Sequence, residues 1–268
     1  MIRLAAFDID RTLVSAMTNT IAPETVDALR QLQKNGIKTA IATGRQWQQL
    51  PKALKALNFD YYILLNGTNI ADSAGNILYR TGLNLEDARS LEQEFLAEDC
   101  SLYLRFVEGM YPVLPRDREV PFGMKLEEIP EELLEGLLMR SPMDRGEPPL
   151  AALGQIPRGE EERFSRRYPD MDFLPVYNGK NTDINPKGVS KGTGLVQVCR
   201  LLGIDVSETI MFGDDINDLD IIRTAGIGVA MGDAIEEVKA VADYITGTCE
   251  ELGVVKGLKH YGLLDANT

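Results

Sequence analysis

Cysteine is scarce in this 268-residue chain, and its three copies, Cys100, Cys199 and Cys249, are scattered and odd in number. They offer neither a disulfide framework nor the paired spacing of a zinc site. Long apolar runs are missing as well. Stretches such as Tyr61–Leu65 are strand-sized, far short of the ~20 residues that cross a bilayer. The N-terminal run Met1-Ile2-Arg3-Leu4-Ala5-Ala6-Phe7 meets an acid at Asp8, so it does not read as a secretory signal. A cytoplasmic protein with no membrane partner is the expectation. Basic excess is also lacking: 28 Lys and Arg stand against 41 Asp and Glu, a net charge of -13. A nucleic-acid partner is therefore not expected, because backbone binding needs a basic surface. No internal repeat or low-complexity tract is present.

What is there is 44% hydrophobic sequence, enough for a sizeable core, in a length that allows one or two domains of ~100–200 residues. Leu4–Ile9 predicts a strand, and Pro23–Lys34 a helix with Val26, Leu29 and Leu32 on one face and Pro23 in its first turn. Ile37–Ala42 predicts a strand, Gln46–Leu57 a helix and Tyr61–Leu65 a third strand. Such alternation is the pattern of a parallel sheet with crossover helices. It returns late in the chain. Helices over Ser190–Leu202, Asn217–Thr224 and Ala234–Ala242 interleave with strands at Thr209–Phe212, Ile227–Ala230 and Tyr244–Thr246. A closing helix runs from about Glu250 to His260.

Between these stretches the pattern changes. Asn69–Tyr79 predicts a hairpin around Ser73-Ala74-Gly75-Asn76. Beyond it helices and strands alternate with the strands coming singly, and proline is frequent from Pro112 to Pro157. Residues 81–183 carry 22 acids against 12 Lys and Arg, net -10, while the rest of the chain carries -3. The expected fold class is α/β. A doubly wound, mostly parallel sheet core is drawn from residues 1–80 and 184–268, with an α/β domain inserted over 81–183.

Four features fall at strand ends or helix starts, where open α/β sheets bind ligands. The first is Asp8-Ile9-Asp10-Arg11-Thr12-Leu13. Residues two apart in extended chain share a side, so Asp8 and Asp10 can face one site while the strand lasts. One carboxylate can attack phosphorus and a second can serve as acid and then base; taken alone, the pair also suits a solvated turn. The second feature is Ala42-Thr43-Gly44-Arg45, whose hydroxyl and backbone donors near a helix start suit a phosphate or a plain N-cap. The third is Pro186-Lys187-Gly188-Val189-Ser190-Lys191-Gly192, in which either lysine can meet a phosphate or solvent. It lacks the G-x-x-x-x-G-K-[ST] nucleotide pattern. The fourth is Phe212-Gly213-Asp214-Asp215-Ile216-Asn217-Asp218. Its oxygen ligands suit Mg²⁺, with no histidine or cysteine beside them to favour zinc.

The order of these four motifs resembles the haloacid dehalogenase superfamily in its phosphatase branch. The long insert, the late lysine and the tail Gly226-Ile227-Gly228-Val229-Ala230-Met231-Gly232 with Ala234 are similar to the Cof-type subfamily. The likeness covers both core segments; over the insert it rests on position and size. It implies a Mg²⁺-dependent phosphatase acting on a small phosphorylated metabolite, a sugar phosphate or similar, through an aspartyl phosphate on Asp8. Asp10 is implied as acid and base, contributing its carbonyl oxygen to the metal. Ile9 through its amide, Thr43, Gly44, Lys191 and Asn217 are implied to hold phosphate. Asp8, Asp214 and Asp218 complete the metal set, Asp218 directly or from behind. Lys187 is the weaker lysine candidate, and Arg45 a further possible contact. Arg11 departs from the glycine common at its position, and either touches the leaving group or lies on the surface. In the insert, Arg105, Arg116, Arg118, Arg140, Arg145 and Arg158 are candidates for substrate contact. A phosphomutase and a non-catalytic phospho-ligand binder are the rival readings. A phospho-signalling receiver is not, because the third strand ends in Leu65-Asn66-Gly67 without an aspartate.

Overall fold

Leu4–Phe7 is buried on both faces as strand β1, the environment of a central strand in a parallel sheet. The computed structural model describes residues 1–115, 136–156, 159–176 and 179–264. They group into two units: one of 1–44, 52–79 and 190–268, the other of 45–51 and 80–189.

The first unit is built on an eight-stranded sheet. Its strands are β1, β2 (Lys38–Ala42), β3 (Tyr61–Leu64), β4 (Asn69–Asp72), β5 (Ile77–Arg80), β11 (Thr209–Gly213), β12 (Ile227–Ala230) and β13 (Tyr244–Ile245). Their order is β13-β12-β11-β1-β2-β3-β4-β5. Every pairing from β13 to β3 is parallel, and β4 returns antiparallel to β3. The chain winds outward from β1 through β2 and β3, then outward on the other side from β11. The switch point lies between β1 and β11, so their carboxyl ends share the crevice where this topology binds ligands. Phe7 and Phe212 pair face to face under that crevice, with ring centroids 5.4 Å apart.

The helix over Pro23–Lys34 forms, burying Thr25, Ala28, Leu29 and Leu32, while Val26, expected on that face, is only partly buried. The helix expected over Gln46–Leu57 does not. A short turn at Trp47–Gln49 is separated by Pro51 from one helical turn at Lys52–Lys55. Proline lacks the N–H that a continuous helix needs and holds Leu50 extended. The helix expected over Ala234–Ala242 is likewise one turn, Glu236–Lys239. The hairpin around Ser73–Asn76 forms, its turn fixed by Asp72 Oδ1 accepting the N–H groups of Ala74 and Asn76.

The second unit holds a five-stranded antiparallel sheet of β6 (Leu102–Arg105), β7 (Met110–Val113), β8 (Ala151–Gly154), β9 (Met171–Val176) and β10 (Asn181–Pro186), in the order β7-β6-β8-β10-β9. Strands therefore do not come singly here: β6 pairs with β7, and β9 with β10, each the next strand in sequence. Alternation sorts the two faces. Leu102, Leu104, Ala152 and Ile184 join one apolar cluster with Ala88, Leu91 and Phe95 of the Leu85–Ala97 helix and Phe164 of the Glu161–Arg167 helix. Tyr103 and Leu153 join a smaller cluster with Met110. Arg105 follows Leu104 and Asp183 precedes Ile184, and the two form a buried ion pair at 3.3 Å. Among the described residues no helix is long and apolar enough to cross a membrane.

Candidate active site

Asp8 is the first residue beyond β1, and its N–H continues the ladder to Phe212 O at 2.9 Å. Asp214 stands in the same position after β11 and is buried. Parallel pairing of the two strands brings both carboxylates to one end of the sheet. Asp218 joins them after one short turn. Gly213 makes this possible, because a Cβ there would lie 2.6 Å from the Asp218 carboxyl carbon. Asp218 Oδ2 accepts the N–H groups of Asp214 and Asp215 at 3.0 and 3.2 Å. One oxygen from each of Asp8, Asp214 and Asp218 lies within 4.8 Å of the others.

A buried lysine answers these acids. Ser190 caps the Lys191–Leu202 helix, accepting the Thr193 N–H while Thr193 Oγ1 accepts the Ser190 N–H. Lys191 is thereby fixed in the first helical turn with its side chain buried. Nζ donates to Asp8 Oδ1 and to Asp218 Oδ1, each at 2.7 Å. Burial opposes the lysine charge, but Asp218 and Asp8 outweigh it and hold the pKa above the usual lysine value. Burial lifts the Asp8 carboxyl well above the ordinary range despite Lys191, helped by Asp218 and Asp214. Asp214 is pushed up to about 7, by burial first and then by Asp218. Three crowded carboxylates are thus only partly compensated. They form an all-oxygen donor set that fits a hard divalent cation, which would lower all of these costs.

Strand β1 ends at Phe7, so alternation along a strand does not govern Asp10. It is exposed on the following turn, outside the three-carboxylate cluster, with a backbone bridge to Val14. Ile9 is buried and its carbonyl accepts the N–H groups of Leu13 and Val14. Thr43 and Gly44 follow β2; Thr43 is buried, with its N–H on Ile63 O and its carbonyl accepting the Asn66 N–H. Asn217 Nδ2 donates to Asn66 Oδ1 at 3.2 Å. Asn66, outside the four motifs, has a left-handed backbone, for which an asparagine before Gly67 at a strand end is a visible signal. Arg11 bonds to Asp233 and lies 3.2 Å from Asp214 Oδ2. Arg45 and Lys187 belong to the second unit: Arg45 donates to Gln49 O, and Lys187 pairs with Asp172. Of the arginines in the insert, Arg105 is committed to Asp183, Arg145 pairs with Glu108 and Glu147, and Arg140 is exposed. Arg116, Arg118 and Arg158 lie outside the described residues.

The family model of haloacid dehalogenase-like hydrolases matches residues 5–129 and 158–258. The 5-amino-6-(5-phospho-D-ribitylamino)uracil phosphatase of Bacillus subtilis is 29% identical over 98% of this chain and 96% of its own length. An HMP-PP phosphatase of Serratia proteamaculans is 28% identical over 97% of this chain and 96% of its own. Among solved structures, a phosphatase of the same superfamily from Bacteroides thetaiotaomicron superimposes with a TM-score of 0.85. It is 28% identical and covers 98% of this chain and 96% of that one. With the motifs in the family's order and the fold in its arrangement, the chain belongs to the haloacid dehalogenase-like hydrolases of the Cof type and is a phosphoric monoester hydrolase.

Proposed function

We propose that the chain is a magnesium-dependent phosphatase that hydrolyses a small phosphorylated metabolite, a sugar phosphate or similar, by way of a phosphoryl group carried on Asp8. The observation that carries this is the buried constellation of Asp8, Asp214 and Asp218 around Lys191 at the sheet's switch point. Asp8 is the nucleophile. It is poised for attack because Lys191 holds one of its oxygens and burial excludes competing water. Asp10, on the exposed turn, protonates the leaving oxygen and then takes a proton from the water that hydrolyses the aspartyl phosphate. Lys191, Asn217, Thr43, Gly44 and the Ile9 amide hold the transferring group, where fixed donors stabilise charge that is already in place. Asp8, Asp214 and the Asp10 carbonyl would hold the cation, with Asp218 orienting the loop behind them. When bound, the cation reduces the repulsion between the Asp8 carboxylate and a phosphate. Residues 81–183 act as the substrate-selecting cap. The phosphatases of uracil-bearing and HMP-PP substrates among the relatives support a small phosphorylated metabolite.

The test is phosphate release from a panel of phosphorylated metabolites, with and without chelator, by the parent and by Asp8→Asn. Turnover should need Mg²⁺, and Asp8→Asn should abolish it. Retention of more than about a tenth of the parent rate by Asp8→Asn, a loss of under ~1.4 kcal/mol, would put the nucleophile elsewhere. Isomerisation of a sugar phosphate without phosphate release would replace the phosphatase by a mutase.

A further inference from the structure

Arg11 has no part in the chemistry above, and its backbone is unfavourable. Its φ of 61° lies in the left-handed region, which glycine enters freely and side-chain-bearing residues rarely do. The side chain shows what holds it there. Arg11 Nη2 donates to the Asp233 carbonyl at 2.6 Å and to Asp233 Oδ2 at 3.0 Å, and Nε lies 3.3 Å from the same oxygen. The remaining terminal nitrogen, Nη1, lies 3.2 Å from Asp214 Oδ2. The other Asp214 oxygen lies 3.4 Å from the Thr12 hydroxyl. One guanidinium therefore grips a solvent-side carboxylate along one edge and touches a buried member of the acid cluster with its free end.

We propose that Arg11 is a tethered competitor of the cation. Anchored on Asp233, it neutralises Asp214 in the metal-free protein and so weakens the cluster's hold on Mg²⁺. The proposal rests on the metal site described under the proposed function. Its direction follows from charge. An incoming cation must share Asp214 with a fixed positive group, and the partial exposure of Arg11 (38%) moderates the repulsion without removing it. Losing Arg11 would also unmask the Asp233 carboxylate, which acts in the same sense. The three bonds to Asp233 let Arg11 give up Asp214 without leaving its place.

The experiment is calorimetric titration of Mg²⁺ into protein stripped with EDTA and dialysed, which reads affinity without turnover. Arg11→Gly fits the left-handed backbone and should bind Mg²⁺ roughly three- to tenfold more tightly than the parent. Arg11→Lys keeps the charge and should stay near the parent. The gap between parent and Arg11→Gly should narrow in ~0.5 M NaCl, as expected of a partly exposed charge. Unchanged or weaker binding by Arg11→Gly overturns the proposal and leaves the metal site standing. Equal tightening by Arg11→Lys, which keeps both the positive charge and a side chain on the left-handed backbone, also overturns it, since loss of charge would then not be the cause. Absence of Mg²⁺ binding in parent and variants alike overturns the metal site together with the proposal.

Discussion

Lys191 ties stability to the proposed chemistry. Its ammonium is wholly buried and survives there only because Asp8 and Asp218 each lie 2.7 Å away. Lys191→Met would leave two buried carboxylates facing each other beside Asp214. Breaking a buried pair from one side costs about 3–5 kcal/mol, and urea denaturation of the metal-free protein should show a loss on that scale. Added Mg²⁺ should recover part of it, because a cation restores the missing charge; equal losses with and without the ion would contradict the site. A second residue makes a pH prediction. Half-buried Glu92 has its pKa raised by burial and then by Asp144, against the pull of Arg89. A carboxyl raised on folding costs nothing while both states are protonated. The cost grows as pH climbs from the unfolded value toward the folded one, and it persists above. Glu92→Gln should therefore raise Tm by roughly 1–2 °C at pH 7 and leave it unchanged near pH 3.5. A gain that persisted at low pH would show packing, not charge, to be responsible.

Among the elements, the helix of Lys191–Leu202 couples packing to the site. A Cβ on Gly194 would lie 2.4 Å from Ile63 Cγ2 and 3.1 Å from the Gly67 Cα, so this helix sits against β3 at a distance only glycine allows. Gly194→Ala must push the helix outward, and Lys191 lies one turn before it. The expected result is a stability loss of about 1–3 kcal/mol together with a fall in kcat. At the other end of the same helix Gly203 is left-handed, with φ of 64° and open space around it. Gly203→Ala should cost about 1 kcal/mol and leave kcat alone. Comparing kcat for the two variants separates displacement of Lys191 from simple loss of stability. A normal kcat in Gly194→Ala would show that this packing does not set the lysine's position.

For the whole molecule, the two units have separate cores and very different roles for charge. Among the described residues the carboxylates grouped to hold a cation belong to the first unit, whereas the net -10 of the insert lies in the second. A ligand stabilises what it binds by mass action, about 2.7 kcal/mol at a hundred times its dissociation constant. Scanning calorimetry of the stripped protein should therefore resolve two components, of which Mg²⁺ moves only one upward. Asp214→Asn should abolish that shift and spare the other component. An Mg²⁺ shift of both components, or of neither, would contradict a cation site confined to the first unit.

The sequence by itself determined the grammar of the core and the order of its motifs. Leu4–Phe7, Ile227–Ala230 and Pro23–Lys34 are legible because a strand's apolar run and a helix's repeating face are local patterns. Asp8, Thr43, Lys191 and Asp214 could be singled out for the same reason, each lying at an end of such an element. Local pattern failed where one residue overrode its neighbours, as Pro51 did between Trp47 and Lys55. It failed also for the hairpin of β6 and β7, whose link Phe106-Val107-Glu108-Gly109 has no Asn-Gly or Asp-Gly signal. Only the tertiary structure decided that Lys191 is buried between Asp8 and Asp218, and that Arg11 closes on Asp233, 222 residues away in sequence. Those contacts follow from the register of β1 against β11 and of β11 against β12, and from the close approach of a helix to β3. Periodicity tells which face of a segment turns inward, but not which distant segment meets it there.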